Sequence, residues 1–451
     1  MGCRAITRPL FALALTTLAA THAAAAPERL TNRTGVSCSI AAPSPSRNGA
    51  LIAFESTCDL TGGNADGNRE LFQVNRDGLV TQLTDTIGCT NANPSSNLNG
   101  AIVAFDSDCD GETNSDRNVE IFVASSVATM QVTDTTFCTS LAPSINSSGG
   151  LVSFDSDCDL TGANLDHSVE IFRAVVGGAA EQLTDDRTAT GCASINASSD
   201  ALGSAVIFES DCDLVGSNAD QVNEIFRFRS GNVIDQLTSS PGEPCANVTP
   251  VVAIDGKSVL FSSDCDLTGE NVDLSSEIYS VSAAAGLVQI TDDPGTSGCE
   301  SIAPSATSAD RVLYLGYCNP TGDNDDGNLE VFSRVGDETT QLTESASCWN
   351  SSPKMSGDGT TVVYLSSCNL TGTDADGEPD VYVGSLCACG APVNHDGPTA
   401  TEALYALNAA VGTVTCALCE CDVNSDERLS AVDALLILNK AIGQPIDLIC
   451  P

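Results

Sequence analysis

Residues 422 to 433 read DVNSDERLSAVD, and their spacing could do metal chemistry. Asp422, Asn424 and Asp426 stand at positions 1, 3 and 5 of a twelve-residue loop. The Arg428 carbonyl stands at position 7, Ser430 at 9 and Asp433 at 12. Hard cations take several oxygen ligands from a short loop, so the expected ion is calcium. Glu427 holds position 6, where a sharp turn favours glycine. A second set of acids recurs along the chain: Asn64 with Asp66, Asn114 with Asp116, Asn164 with Asp166, Asn218 with Asp220, Asn271 with Asp273, and Asn324 with Asp326. Asp374 and Asp376 take the seventh place. An acid follows four residues after each pair, from Glu70 to Asp380. Asn64, Asp66, Asn164, Asp166, Asn218, Asp220, Asn271 and Asp273 are candidate calcium ligands. The same residues are also the ones that cap turns through their own backbone, after a glycine that supplies positive φ, so both readings stand. The Glu before Ile-Phe reads as a hydrogen-bonding residue internal to its unit.

Nucleophilic catalysis has little to work with. Beyond His22, the histidines are His167 and His395, neither in a triad-like setting, and G-x-S-x-G is absent. The acids could hide a glycosidase pair. A carboxylate in every unit reads instead as repeat architecture, and the expectation is that the chain is not an enzyme.

The elements that must carry these residues come from self-similarity. One unit recurs from Cys38 to about Leu386, with first cysteines Cys38, Cys89, Cys138, Cys192, Cys245, Cys299 and Cys348. Second cysteines follow at Cys58, Cys109, Cys158, Cys212, Cys265, Cys318 and Cys368. In the third unit, strands are expected near 142–145, 151–155, 170–174 and 181–184. Four short strands per unit predict a propeller blade. The seventh unit lacks a fourth strand. Arg29-Leu30-Thr31 matches the Gln-Leu-Thr fourth strands, so the N-terminus should complete blade seven and remove an open edge. Strands one and two are antiparallel neighbours. Each first cysteine therefore lies beside its second, predicting seven intrablade disulfides. Most Phe and Tyr fill two repeated core positions. Phe137, Tyr317 and Trp349 flank blade cysteines instead, and Tyr317 with Trp349 is a candidate contact patch, unless both merely cover disulfides.

The A-P-S first strand, apolar-F-x-S second strand, E-I-F third strand and Q-L-T fourth strand resemble TolB-type, WD-repeat-like propellers of bacterial exported proteins. The resemblance covers residues 27–386 and implies the fold more than a function.

Arg4, Arg8, an apolar run from Leu10 to Ala20 and small residues to Ala26 read as a secretion signal over residues 1–26. The run is too short to span a bilayer. Removing Cys3 with it leaves an even number of cysteines, which suits an oxidising compartment. With 60 acids against 18 bases and a formal charge of −42, nucleic acid and anionic membranes are poor partners. Residues 387–451 form a separate disulfide-rich module with two helices, ending at Gly412 and Gly443. Cys387, Cys389, Cys416, Cys419, Cys421 and Cys450 are expected as three disulfides, with zinc the alternative. Paired loop–helix units with an EF-hand-type loop resemble dockerin modules, which implies a cohesin-like partner. Ala431 and Val432 depart from the Ser/Thr such modules usually present. In the first copy Glu402 fills the final position, with Asn394 and Asp396 nearby. The expected whole is an all-β seven-bladed propeller with a small α-helical module. As a secreted scaffold it would bind a protein or glycan partner. The alternatives are a glycan-degrading propeller and a matrix protein.

Overall fold

The computed structural model describes residues 27–32, 38–110, 114–185, 191–240, 245–292, 299–357, 359–373, 377–386, 398–414, 416, 418–424, 428–444, 446 and 448. The signal segment lies outside the described residues. So do Asp374, Asp376, Cys387, Cys389, Asn394, His395, Asp396, Asp426 and Cys450.

Seven four-stranded antiparallel sheets form from residues 28–385. In six of them the strand order follows the chain. In the seventh, Glu28–Arg29 pairs outside Asp380–Ser385, which completes the sheet begun by Asn350–Met355 and Thr361–Ser366. The expected closure by the N-terminal strand is therefore observed.

The second and third strands of each blade are buried on both faces, because neighbouring blades cover them. Each pairs one aromatic from strand two with one from strand three. Phe154 and Phe172 stack at 6.0 Å between centroids, Tyr314 and Phe332 at 5.5 Å, and all seven blades repeat the pair. Blade three holds strands Ser140–Ile145, Leu151–Ser156, Glu170–Val175 and Ala180–Gln182. The last stops earlier than the sequence predicts. The Thr184 hydroxyl takes the Ile171 N–H at 2.8 Å, so a side chain replaces the ladder there.

All seven predicted intrablade disulfides are present, with Cα separations of 4.9–5.3 Å.

The remaining described residues form a second unit. Helices Ala400–Ala410 and Ala431–Ala441 pack through Ala403, Ala406, Ala434 and Ile437, with a short helical turn at Leu418–Cys421 between them. Thr399 and Ser430 cap their N-termini, and Ser430 with Asp433 closes the expected capping box. Gly412 and Gly443 take φ of 75° and 82° just past the ends, where left-handed backbone favours glycine. Cys416–Cys421 is the disulfide among this unit's described residues.

Candidate functional site

The first strands of all seven blades line a central channel of about 610 Å³. Each carries a bulge that places one residue in left-handed backbone: Ala42, Asn93, Ala142, Asn196, Thr249, Ala303 and Ser352, at φ from 47° to 58°. Such backbone is costly for residues with a Cβ. In five blades it is held by the blade before. Glu55 accepts the Asn93 N–H at 2.9 Å, Asp106 that of Ala142 at 3.0 Å, Asp155 that of Asn196 at 2.8 Å and Glu209 that of Thr249 at 2.7 Å. The Ser262 hydroxyl accepts from Ala303 at 3.2 Å. The same strand-two position holds Leu315 and Leu365 in blades six and seven, and these offer no acceptor.

The four carboxylates form half a ring and are 3–6% exposed. Burial is the main cause that pushes Asp106 up to about 6 and Asp155 up to about 7, and it also raises Glu209. Hydrogen bonds from Asn93, Ala142, Asn196 and Ala197 oppose the shifts, and neighbouring acids of the half-ring add to them. Arg69 pairs with Glu55 at 2.7 Å.

A second ring lies in the channel wall. Ser44 Oγ accepts the Ser96 N–H at 3.0 Å, Ser95 that of Ile145 at 3.1 Å and Ser144 that of Ser199 at 3.0 Å. Ser198 accepts from Val252 at 3.1 Å and Ser305 from Met355 at 2.9 Å. Each serine keeps its own O–H to donate. The series breaks at Val251 and at Lys354.

Lys354 and Arg47 are the charged residues of the lining, and among its described residues none is Asp or Glu. Lys354 is accessible from the channel, yet protein surrounds it. That burial pushes its amine below the ordinary lysine value. Its amine has no hydrogen bond or ion pair among the described residues. Arg47 sits in the turn after the first strand of blade one and donates to the Ser199 carbonyl of blade four at 3.4 Å. Burial lowers its guanidinium too, with Asp200 acting in the opposite sense.

The predicted metal residues separate into two settings. In the blade loops Asn64 donates its backbone N–H to Asp59 at 2.9 Å, and its amide donates to the Cys58 and Asn68 carbonyls. Asn164, Asn218 and Asn271 repeat this with Asp159, Asp213 and Asp266. Gly62, Gly162, Gly216 and Gly269 precede them at φ near 80°. Asp66, Asp166, Asp220 and Asp273 are exposed. The loops are thus held by Asx-type hydrogen bonds. The glutamate that opens the third strand is expected to bond within its own blade; Glu70 accepts from Asn68 and Thr86 and also from Asn91 of the next blade, so it ties two blades together.

In the C-terminal loop Asp422 and Asp433 are both buried, and Val423 N–H reaches Asp433 Oδ1 at 3.1 Å. Ser430 donates to Asp433 Oδ2 from N and Oγ, each at 2.9 Å. The two ends of the loop therefore meet. Carboxylates at positions 1 and 12 with Asn424 between are a hard oxygen set that fits calcium. Asp108, Asp157, Asp211 and Asp264 each lie against a cysteine pair. Those sulfurs are in disulfides and are not thiolate ligands, and each carboxylate accepts a backbone N–H.

Phe137, Tyr317 and Trp349 are 96%, 39% and 45% exposed. Phe137 holds φ of 62°, a glycine-like conformation, beside its disulfide.

The sequence matches no protein-family model. It matches no curated protein. Among solved structures it is similar to an oligogalacturonate lyase from Vibrio parahaemolyticus, with TM-score 0.54 and 13% identity over 79% of this chain and 93% of that one. An oligogalacturonate lyase in complex with manganese gives TM-score 0.52 and 14% identity, covering 79% and 92%. A TolB from Acinetobacter baumannii gives TM-score 0.41 and 16% identity over 65% and 63%. The likeness shows the propeller fold. It also corrects the expectation that the chain is not an enzyme. That expectation rested on missing triads and motifs, whereas the same fold carries catalysis in the two lyases without sequence identity above 14%.

Proposed function

We propose that this is a secreted, carbohydrate-active propeller that takes a glycan segment into its central channel. The channel carries the reading. Its volume of about 610 Å³ lies in the range of small-ligand sites. Its wall offers a series of serine hydroxyls whose donors remain free to meet sugar hydroxyls. The fold shared with two oligogalacturonate lyases supports the choice of glycan. Seven blade disulfides support an oxidising, exported setting. A calorimetric panel of neutral and acidic oligosaccharides, with product analysis by mass spectrometry, tests it. Binding of at least one class, weakened when Ser95 and Ser305 become alanine, is the expected result. No binding and no turnover across the panel sinks it.

A second reading concerns the C-terminal unit. Asp433 takes the Val423 N–H beside buried Asp422, and that closure of the loop favours one calcium ion there, holding the loop and the start of the second long helix together. The dockerin-like resemblance makes a cohesin-like domain the partner to try against it.

A further inference from the structure

The propeller is built by repetition, so departures from the repeat are informative where they coincide. Three coincide in the first strands and turns of blades seven and one. Lys354 replaces the channel serine that Ser44, Ser95, Ser144, Ser198 and Ser305 supply elsewhere. That serine normally accepts an N–H from the following blade, but the following blade here presents Pro45, which has none to give. Position 354 is thereby released from structural duty. Arg47 stands where the other blades carry Leu98, Ser147, Ala201, Ile254, Ser308 and Gly357. Gly357 donates its N–H to the Arg47 carbonyl at 2.6 Å, the bond that Leu98 makes to Ser147 at 3.1 Å and Ser147 to Ala201 at 2.9 Å. A Cβ at Gly357 would lie 2.6 Å from that oxygen and 3.0 Å from Arg47 Cβ.

Charge follows the same line. The chain carries 60 acids and 18 bases. The channel inverts that balance, with two cations and no described carboxylate in its lining. The half-ring of Glu55, Asp106, Asp155 and Glu209 runs over blades one to four, and blades six and seven carry Leu315 and Leu365 in its place. Asp200 is the carboxylate whose field reaches Arg47, and both its oxygens are already engaged by Ser204. Two cations thus stand in a channel whose described lining holds no carboxylate. An incoming anion would supply the opposite charge that offsets the burial now disfavouring the charge on Lys354.

We propose that the channel is an anion-recognition site, in which Arg47, whose guanidinium reaches the Ser199 carbonyl of blade four, and Lys354 of blade seven take a ligand bearing carboxylates. A uronic-acid glycan is the class that suits the channel. The planar Arg47 guanidinium can grip one carboxylate through two parallel N–H bonds, and the Lys354 ammonium can meet a second as a point charge. The choice of a sugar acid rests on the glycan reading above; the anion site does not.

The test titrates the full disulfide-bonded chain with trigalacturonate, with neutral galactotriose and with the small tricarboxylate tricarballylate. K354S and R47M are compared with the unaltered chain. K354S restores the residue that five blades already carry, so its fold is expected to hold, and its melting temperature checks this. Trigalacturonate should bind at least tenfold more weakly to each variant and should lose affinity as salt rises. Galactotriose should bind at least tenfold more weakly than trigalacturonate. Equal trigalacturonate binding by a folded K354S and the unaltered chain overturns the proposal, as does failure of both anions to bind. If tricarballylate binds through the two cations and neither sugar binds, the anion site stands and the glycan reading falls. If the sugars bind without regard to the two cations, the glycan reading stands and the anion site falls.

Discussion

Arg29 and Asp380 stand 351 residues apart in the chain, and Arg29 Nε donates to Asp380 Oδ2 at 2.9 Å. Both side chains are buried. Thr31 Oγ donates to the other oxygen at 2.6 Å and accepts the Val381 N–H at 2.9 Å. The other blades use a glutamate and a strand reading Gln, then Leu, Val or Ile, then Thr at the same place. Blade seven uses a shorter acid and an arginine, which gives the ring a charged clasp where its two ends meet.

Removing one partner of a buried pair leaves an uncompensated charge. Arg29→Ala is expected to cost about 3–5 kcal/mol. The double change R29Q with D380E, which copies the other blades, should recover most of that loss. Chemical unfolding of the three proteins checks it, and equal stability of R29A and the unaltered chain counts against the clasp.

The half-ring carboxylates make stability fall as pH rises. Asp106 and Asp155 hold protons more tightly when folded, at about 6 and about 7, than when unfolded. Their contribution is therefore fully favourable below the unfolded value near 4 and fades as pH climbs through 6 and 7. Melting temperatures between pH 4.5 and 8 should decline from this source. Asp155→Asn, whose amide oxygen can still accept the Asn196 N–H, should flatten the decline and raise Tm at pH 8 by ~2–4 °C. An unchanged slope would remove the assignment.

Each blade disulfide closes a loop of about 20 residues, worth roughly 3 kcal/mol in the chain-entropy model. C89S with C109S should lower stability by about that amount. Non-reducing peptide mapping should recover Cys89 with Cys109 and Cys138 with Cys158, never crossed between blades.

Calcium titration separates the two acidic settings. One ion per chain, lost in D422N or D433N, is expected for the C-terminal loop, where Asp422 and Asp433 are both buried and Asp433 takes the Val423 N–H. The Asx-bonded blade loops are expected to add none. Several ions retained by D422N would reverse that assignment and make the N-x-D loops metal sites.

How much of this was legible depended on whether a residue obeyed the repeat. Cysteine spacing, the Phe/Tyr pairs and Arg29-Leu30-Thr31 recur in register, so blades, disulfides and closure could be read directly. The early end of each fourth strand could not, because there a threonine hydroxyl substitutes for a ladder bond and leaves the sequence pattern unchanged. The half-ring was hidden in the variable place of the F-x-S motif, which reads Glu, Asp, Asp, Glu, Ser, Leu, Leu around the ring. Arg47 and Lys354 were missed for the opposite reason. Their signal lies in departing from A-P-S and its following turn, and attention to the shared motif conceals it. Only the channel shows that the two departures share one cavity.

The left-handed residue of each first strand has a consequence for how the molecule comes into being. From blade two to blade six, each such residue depends on an acceptor from the blade synthesised just before it. A nascent blade thus inherits its inner edge from its predecessor, and order should spread along the ring in the direction of translation. Excising one blade would take away the next blade's template as well as its own four strands, so the ring is expected to lose or gain blades by duplication far less freely than its seven-fold sequence suggests.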